Sequence, residues 1–154
     1  MKQVRKSVLL WYSPHEMYAL VTDVRRYPEF LPWCERAELL DERPEGITAR
    51  LSLSYAGVRQ SFTTRNTHEP DRRLHMALVD GPFSQLDGIW QFIALNKPGQ
   101  AADGAPQACK IEFELSYAFS NRALEMVVSP VFDRIANTFV DSFVQRAEAV
   151  YGPR

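Results

Sequence analysis

SNRALEMVVSPVFDRIANTFVDSFVQRAEAVYG, residues 120–152, decides the fold of this 154-residue chain. From Leu124 onward apolar side chains recur at helical spacing: Leu124, Val127, Val128, Val131, Phe132, Ile135, Ala136, Phe139, Val140, Phe143, Val144, Ala147 and Val150. That spacing predicts a helix with one broad apolar face. At roughly 1.5 Å per residue it would be about 40 Å long, against about 33 Å for a strand of ten residues, so it can lie across a whole sheet. Pro130 falls inside the period, where a missing N–H and a ring clash predict a kink or break. The expectation is a short segment over 121–129 hinged to a longer helix from Pro130 to about Val150.

What that face covers is read by working outward. The neighbouring run, Cys109 to Phe119, alternates without a fault, placing Cys109, Ile111, Phe113, Leu115, Tyr117 and Phe119 against Lys110, Glu112, Glu114, Ser116 and Ala118. Further back, 96–107 is rich in Pro, Gly and Ala and reads as a long mobile loop. Before it lie strands over 35–43, 47–55, 58–68, 72–80 and 85–95, separated by turns at Arg43-Pro44-Glu45-Gly46, Ala56-Gly57, Glu69-Pro70-Asp71 and Asp80-Gly81-Pro82. Short alternating runs between Gly- and Pro-containing turns predict an antiparallel meander with one apolar face. Gly88 shares a face with Trp90, which suggests a close approach or a bend.

At the other end, residues 3–12 place Val4, Val8, Leu10 and Tyr12 on one parity and read as a strand. Ser13-Pro14 followed by Glu16 is a helix start, with Ser as N-cap, Pro at N1 and an acid in the first turn. Two short helices, or one kinked one, are expected before Pro28. The segment Tyr27-Pro28-Glu29-Phe30-Leu31-Pro32-Trp33-Cys34 holds two prolines among crowded large side chains. It reads as a hydrophobic plug closing one end of the core. The sum is a single α+β domain over 1–154: a curved antiparallel sheet of about seven strands wrapped around a long C-terminal helix.

Composition narrows the function classes. With 45% hydrophobic and 24% charged residues the chain is an ordinary globular one, and a net charge of -1 gives no overall footprint for DNA or RNA. Cys34 and Cys109 stand alone, without the spacing of a zinc site or a disulfide framework, which fits a reducing compartment. No run has the length of a membrane span, and MKQVRKSVLLWYS lacks the apolar region of a signal peptide, so a cytoplasmic location is expected.

Three motifs, YPEFLPWC at 27–34, DGPFSQLDGIWQF at 80–92 and FVQRAEAVYG at 143–152, resemble those of the coenzyme Q-binding START-domain proteins, a polyketide cyclase/dehydrase-like family with a bacterial ribosome association toxin (RatA) branch. The resemblance covers nearly the entire chain. It implies a START-like helix-grip fold with a hydrophobic tunnel between sheet and helix, no cofactor of its own, and a bound ubiquinone or other polyprenyl lipid supporting respiratory electron transport. Peripheral contact with the inner membrane, and for the bacterial branch contact with the large ribosomal subunit that blocks subunit joining, are implied as well. Parity and the family motifs together nominate Phe30, Leu31, Trp33, Phe83, Leu86, Trp90, Phe92, Val128, Phe132 and Phe139 as ligand contacts.

An enzyme is the weaker expectation, although START-like folds include aromatase/cyclases. The inward positions are nearly all apolar, with Asn66, His68, Tyr55 and Tyr117 as exceptions, and no Ser/His/Asp set or paired carboxylate emerges. His68 sits at a strand end and reads as exposed or capping; His15 and His75 read as surface residues. If the tunnel has the usual ligand size of about 300 Å³, leaving it empty would cost on the order of 7 kcal/mol, so it is expected to be collapsed or filled. The basic pairs Lys2/Arg5/Lys6, Arg25/Arg26 and Arg72/Arg73 could join into a patch for RNA phosphates. A mouth formed by the Pro130 hinge, the loop 80–84 and the plug is a further expectation.

Overall fold

The computed structural model describes residues 1–96 and 105–154; most of the loop expected over 96–107 lies outside the described residues. Strand β1 (Lys2–Leu10) leads to helix α1 (Pro14–Thr22) and a 3-10 helix (Val24–Glu29). Six strands follow, β2 (Cys34–Arg43), β3 (Gly46–Tyr55), β4 (Val58–Glu69), β5 (Arg73–Asp80), β6 (Phe83–Leu95) and β7 (Ala108–Phe119), and then helix α2 (Arg122–Tyr151). The seven strands form one sheet in the order β1-β7-β6-β5-β4-β3-β2. Strands β2 to β7 are a meander, and β1 closes the far edge by pairing antiparallel with β7 from Lys2↔Tyr117 to Leu10↔Cys109. This is the helix-grip architecture that the strand alternation and the long helix predict.

Local chemistry accounts for the elements. Helix α1 begins with a capping box: the Ser13 side chain accepts from the Glu16 N–H at 3.0 Å and the Glu16 carboxylate accepts from the Ser13 N–H at 2.9 Å. On β7 the residues Cys109, Ile111, Phe113, Leu115 and Tyr117 are buried while Lys110, Glu112, Glu114 and Ser116 are not, so one face alone is dry. Register shifts in β2 at Cys34/Arg36 and Leu39/Asp41, between β4 and β5 at Thr63/Thr64, and in β6 at Phe83/Gln85 mark bulges. Bulges bend strands, and here they let the sheet curl around the helix.

Helix α2 corrects the expected break at Pro130: it runs unbroken for 30 residues. The physical reason is exposure. Pro130 removes the partner of the Met126 carbonyl, but Pro130 is exposed and Met126 is 74% exposed, so water can take the lost bond. The same exposure shortens the apolar face, because Val127 is 60% exposed and burial begins at Val128. Both halves of α2 are tied down. Near its start Asp133 accepts from Lys2 Nζ (2.5 Å) and the Tyr117 hydroxyl (2.5 Å), and Lys2 also donates to Ser129. At its end the Tyr12 hydroxyl donates to the Gly152 carbonyl (2.7 Å), the Tyr151 hydroxyl donates to the Glu16 carbonyl (3.0 Å), and Arg154 grips the Glu16 carboxylate at 2.7 and 2.8 Å.

Candidate functional site

Between the sheet and α2 lies a partly open cavity of about 60 Å³. Its walls are Ala49 and Leu51 of β3, Phe62, Thr64 and Asn66 of β4, Met76 of β5, Leu86 of β6, and Phe113 and Leu115 of β7. Phe132, Ile135, Ala136 and Phe139 of α2 close it from above, and Val24, Tyr27 and Trp33 close one end. Helix α2 packs against β7, β1 and β4, while α1 covers part of β6 and β7. Leu51, Met76 and Phe139 are only half-buried and form the thin part of the wall.

This volume corrects the expectation of a ligand-sized space. About 60 Å³ left empty costs roughly 1.4 kcal/mol at about 24 cal/mol per Å³, a small fraction of a domain's stability. The cavity is therefore mostly collapsed, and nothing forces it to be filled. Gly88 shows how the collapse is arranged: a Cβ there would lie 2.6 Å from the Met76 methyl and 3.2 Å from Leu115. Cross-strand pairing sets Met76 opposite Gly88, so the glycine makes room for a flexible side chain that lines the cavity.

Of the ten nominated contacts, Trp33, Leu86, Phe132 and Phe139 line the cavity. Phe83 stands one layer behind, stacked on Phe119 at 5.2 Å and edge-on to Phe132 at 4.8 Å. Trp90 and Phe92 belong to a solid cluster in which Trp90 meets Phe113 at 4.7 Å and Phe143 at 5.3 Å. Leu31 and Val128 are buried outside the cavity. Phe30 is half-buried beneath the Arg146 guanidinium, 4.9 Å from its ring, and that guanidinium also bonds Glu29 at 3.0 Å. Sequence reasoning passed over Ala49, Leu51, Met76, Phe113, Leu115, Ile135 and Ala136 as contacts. All sit on an inward parity, which is a signal for the face but not for depth within it. The expected mouth is also corrected: Tyr27 and Trp33 of the plug line the cavity, whereas Pro130 and residues 80–84 do not.

The polar chemistry of the lining is sparse. Thr64 and Asn66, alternate residues of β4, point inward, and the Thr64 hydroxyl donates to Asn66 Oδ1 at 2.8 Å. The Tyr27 hydroxyl is already spent on the Val21 carbonyl at 2.5 Å, and burial raises its pKa, so Tyr27 offers the cavity an uncharged ring. Among the described residues no acidic or basic side chain lines the space.

His68, two residues beyond Asn66, corrects the expectation of an exposed residue. It is half-buried, edge-on to Tyr18 at 6.1 Å, with Nε2 shielded and unpartnered, and burial pulls its pKa down. The indole N–H of Trp90 is likewise buried without a partner. His15 and His75 pair with Asp71 (2.8 Å) and Asp87 (2.7 Å).

Burial pushes the Cys34 thiol up to about 11 and the Cys109 thiol up to about 12, the reverse of what a nucleophile or metal ligand needs. Among the described residues no group of three or more His, Cys, Asp or Glu is arranged for a metal ion. Four of the seven basic residues nominated for RNA face carboxylates. Lys2 pairs with Asp133 (2.5 Å), Arg5 with Glu114 (3.7 Å), Arg26 with Asp23 (3.0 Å) and Glu29 (3.4 Å), and Arg73 with Glu69 (3.8 Å).

Comparison with known proteins agrees with this geometry. Residues 10–144 match the family described as polyketide cyclase / dehydrase and lipid transport. Ribosome association toxin RatA of Pseudomonas aeruginosa is 39% identical over 149 residues, spanning 97% of this chain and 97% of its own length. The mitochondrial coenzyme Q-binding protein COQ10 homolog B of Xenopus laevis is 28% identical over 148 residues, spanning 96% of this chain and 58% of that protein. Among solved structures, the Zhui aromatase/cyclase from Streptomyces sp. R1128 superposes with a TM-score of 0.74 at 17% identity, covering 96% of this chain and 93% of that one, a likeness of fold.

Proposed function

Because the chain belongs to the polyketide cyclase / dehydrase and lipid transport family, we propose that it is a binding protein whose ligand is a ubiquinone-like polyprenyl lipid, held by its ring between sheet and α2. The observation that carries this reading is the cavity lining, which joins aromatic and aliphatic walls to one polar pair and contains no acid or base. Such a surface desolvates a flat ring and orients it without the proton-transfer groups that a cyclase requires. The relative named as a coenzyme Q-binding protein supports the same ligand class.

The walls fit a quinone ring in kind, and the volume demands movement. About 60 Å³ is well below the roughly 300 Å³ of a ligand pocket. The thin part of the wall supplies the missing room: Met76 is unbranched and adaptable, and Phe139 and Leu51 are already partly at the surface. The polyprenyl tail then leaves through that opening. Such a lipid resides in a bilayer, so the proposal includes peripheral contact of a cytoplasmic protein with the inner membrane. Organic extraction of protein purified under mild conditions, followed by mass spectrometry, should recover a prenyl quinone. Recovery of none, with no uptake of added quinone afterwards, would remove the reading.

A second reading is favoured by the relative of highest sequence identity described above, which is named a ribosome association toxin. On this reading the outer surface binds the large ribosomal subunit and hinders subunit joining. With Lys2, Arg5, Arg26 and Arg73 facing carboxylates, phosphate contacts would fall to the few remaining cations, so the salt dependence should be modest. Sucrose-gradient sedimentation with added protein should show it comigrating with large subunits and fewer joined ribosomes. An unchanged profile at tenfold excess of protein removes this reading and leaves the first standing.

A further inference from the structure

We propose that Asn66 is the specificity-determining residue of the cavity: its amide Nδ2 is a hydrogen-bond donor held ready for a carbonyl oxygen on the ring of the bound ligand. The inference rests on the apolar-ligand reading above and says which chemical group on the ligand is recognised.

Asn66 is 5% exposed and lines the cavity. Its Oδ1 accepts from the Thr64 hydroxyl, itself on a buried residue, and Nδ2, unlike His68 Nε2 and Trp90 Nε1, is not sealed away as a partnerless buried atom. An amide that lines an otherwise apolar space has hydrogen-bonding capacity left for a polar atom of a ligand.

The bond to Thr64 sets the polarity of the amide. With the Thr64 hydroxyl donating to Oδ1, Nδ2 is the part of the amide left to meet a ligand, while the hydroxyl keeps its own acceptor lone pairs. The amide therefore suits an acceptor: the carbonyl of a quinone or a methoxy oxygen beside it.

The backbone beneath is equally set. A Cβ at Gly46 would lie 1.8 Å from the Asn66 carbonyl oxygen, so only glycine lets β3 and β4 pair this tightly at Asn66. The donor thus projects from a rigid strand, beside the flexible Met76, its cross-strand neighbour on the same face of the sheet. That is the arrangement expected where one residue recognises and its neighbour yields.

The test uses the full chain, decylubiquinone, its quinol, and decylbenzene as the ring without oxygens, with quenching of Trp33 fluorescence as the binding signal. The wild type should bind the quinone about tenfold or more tighter than decylbenzene. Asn66→Leu, close in volume and unable to donate, should lose about tenfold in quinone affinity and none for decylbenzene. Thr64→Val, which frees the amide to rotate, should lose less. An Asn66→Leu protein that binds quinone as tightly as the wild type overturns the inference, as does a wild type that prefers the quinol. If the wild type takes up decylbenzene and quinone equally, the inference falls while the apolar-ligand reading stands. If it takes up neither, both fall.

Discussion

Trp90 and Phe143 pack 5.3 Å apart at one end of the space between sheet and α2 and, like Met17 and Val21 of α1, are fully shielded from solvent. At the other end Leu51 and Met76 are half-buried around about 60 Å³ of empty volume, and Phe139 stands between the two, half-buried at the cavity wall and 5.1 Å from Phe143. Both ends are made of inward residues on alternating strands under the same helix. The difference is the cover. At the first end α1 adds a third layer over β6 and β7, and Tyr27, Phe30 and Phe143 interlock at 5.2–5.4 Å. At the second, α2 is the long helix over the sheet, reaching from β7 to β4, with Val24 and Tyr27 of the 3-10 helix closing one side. One helix cannot fill the concavity of a curled sheet, so the second end stays loose, and looseness there is what an adaptable site requires.

The comparison can be broken most directly by truncating Phe143 in the closed end and Phe139 where that end meets the cavity. Phe143→Ala should cost about 3–5 kcal/mol, as for any fully packed Phe. Phe139→Ala, at the half-buried rim, should cost about 2 kcal/mol or less while opening the cavity. Urea midpoints of the two variants measure both, and equal losses would mean that the two ends are packed alike.

Filling the loose end sharpens the contrast. Ala49 is buried in β3 and lines the cavity, and Val there adds volume where the strand welcomes a branched side chain. Ala49→Val should gain up to about 1 kcal/mol by thermal denaturation and abolish quinone uptake. If stability drops instead, the space is already closed to a methyl group.

The smallest expected effect is on pH dependence. Burial lowers the pKa of His68, so the unfolded chain takes up this proton first. Its contribution to stability is complete above the unfolded value near 6.5 and declines as pH falls below it. Urea midpoints at pH 7.5 and 5.5 should show a drop that His68→Gln reduces. An identical drop in the variant assigns the slope to other groups.

How much of this was legible in the sequence depends on which force decided each feature. The strands, the α1 cap and the meander from β2 to β7 followed from alternation and turn chemistry, because those are local, whereas the pairing of β1 with β7 is long-range and was not read. Thr64, Asn66 and His68 were placed on the inner face of β4 by the same parity. Depth was not legible: Trp90 and Leu86 share a parity on β6, yet Leu86 lines the cavity and Trp90 does not. What separates them is the ring cluster that Phe113 of β7 and Phe139 and Phe143 of α2 build around Trp90, which no pattern along β6 records. Pro130 failed as a signal for a similar reason. The cost of its missing bond depends on solvent access to Met126, a property of the folded surface.

The central claim is that the loose end, and not the closed end, receives a ring-bearing apolar ligand. Methyl-labelled NMR spectra of the wild type titrated with decylubiquinone test it in one measurement. The account predicts shifts at the methyls of Met76, Leu51, Ala49 and Ala136, with those of Met17, Val21 and Leu31 unmoved. Shifts centred on Met17 and Val21, or no shift at Met76 while quinone is bound elsewhere on the surface, would contradict it.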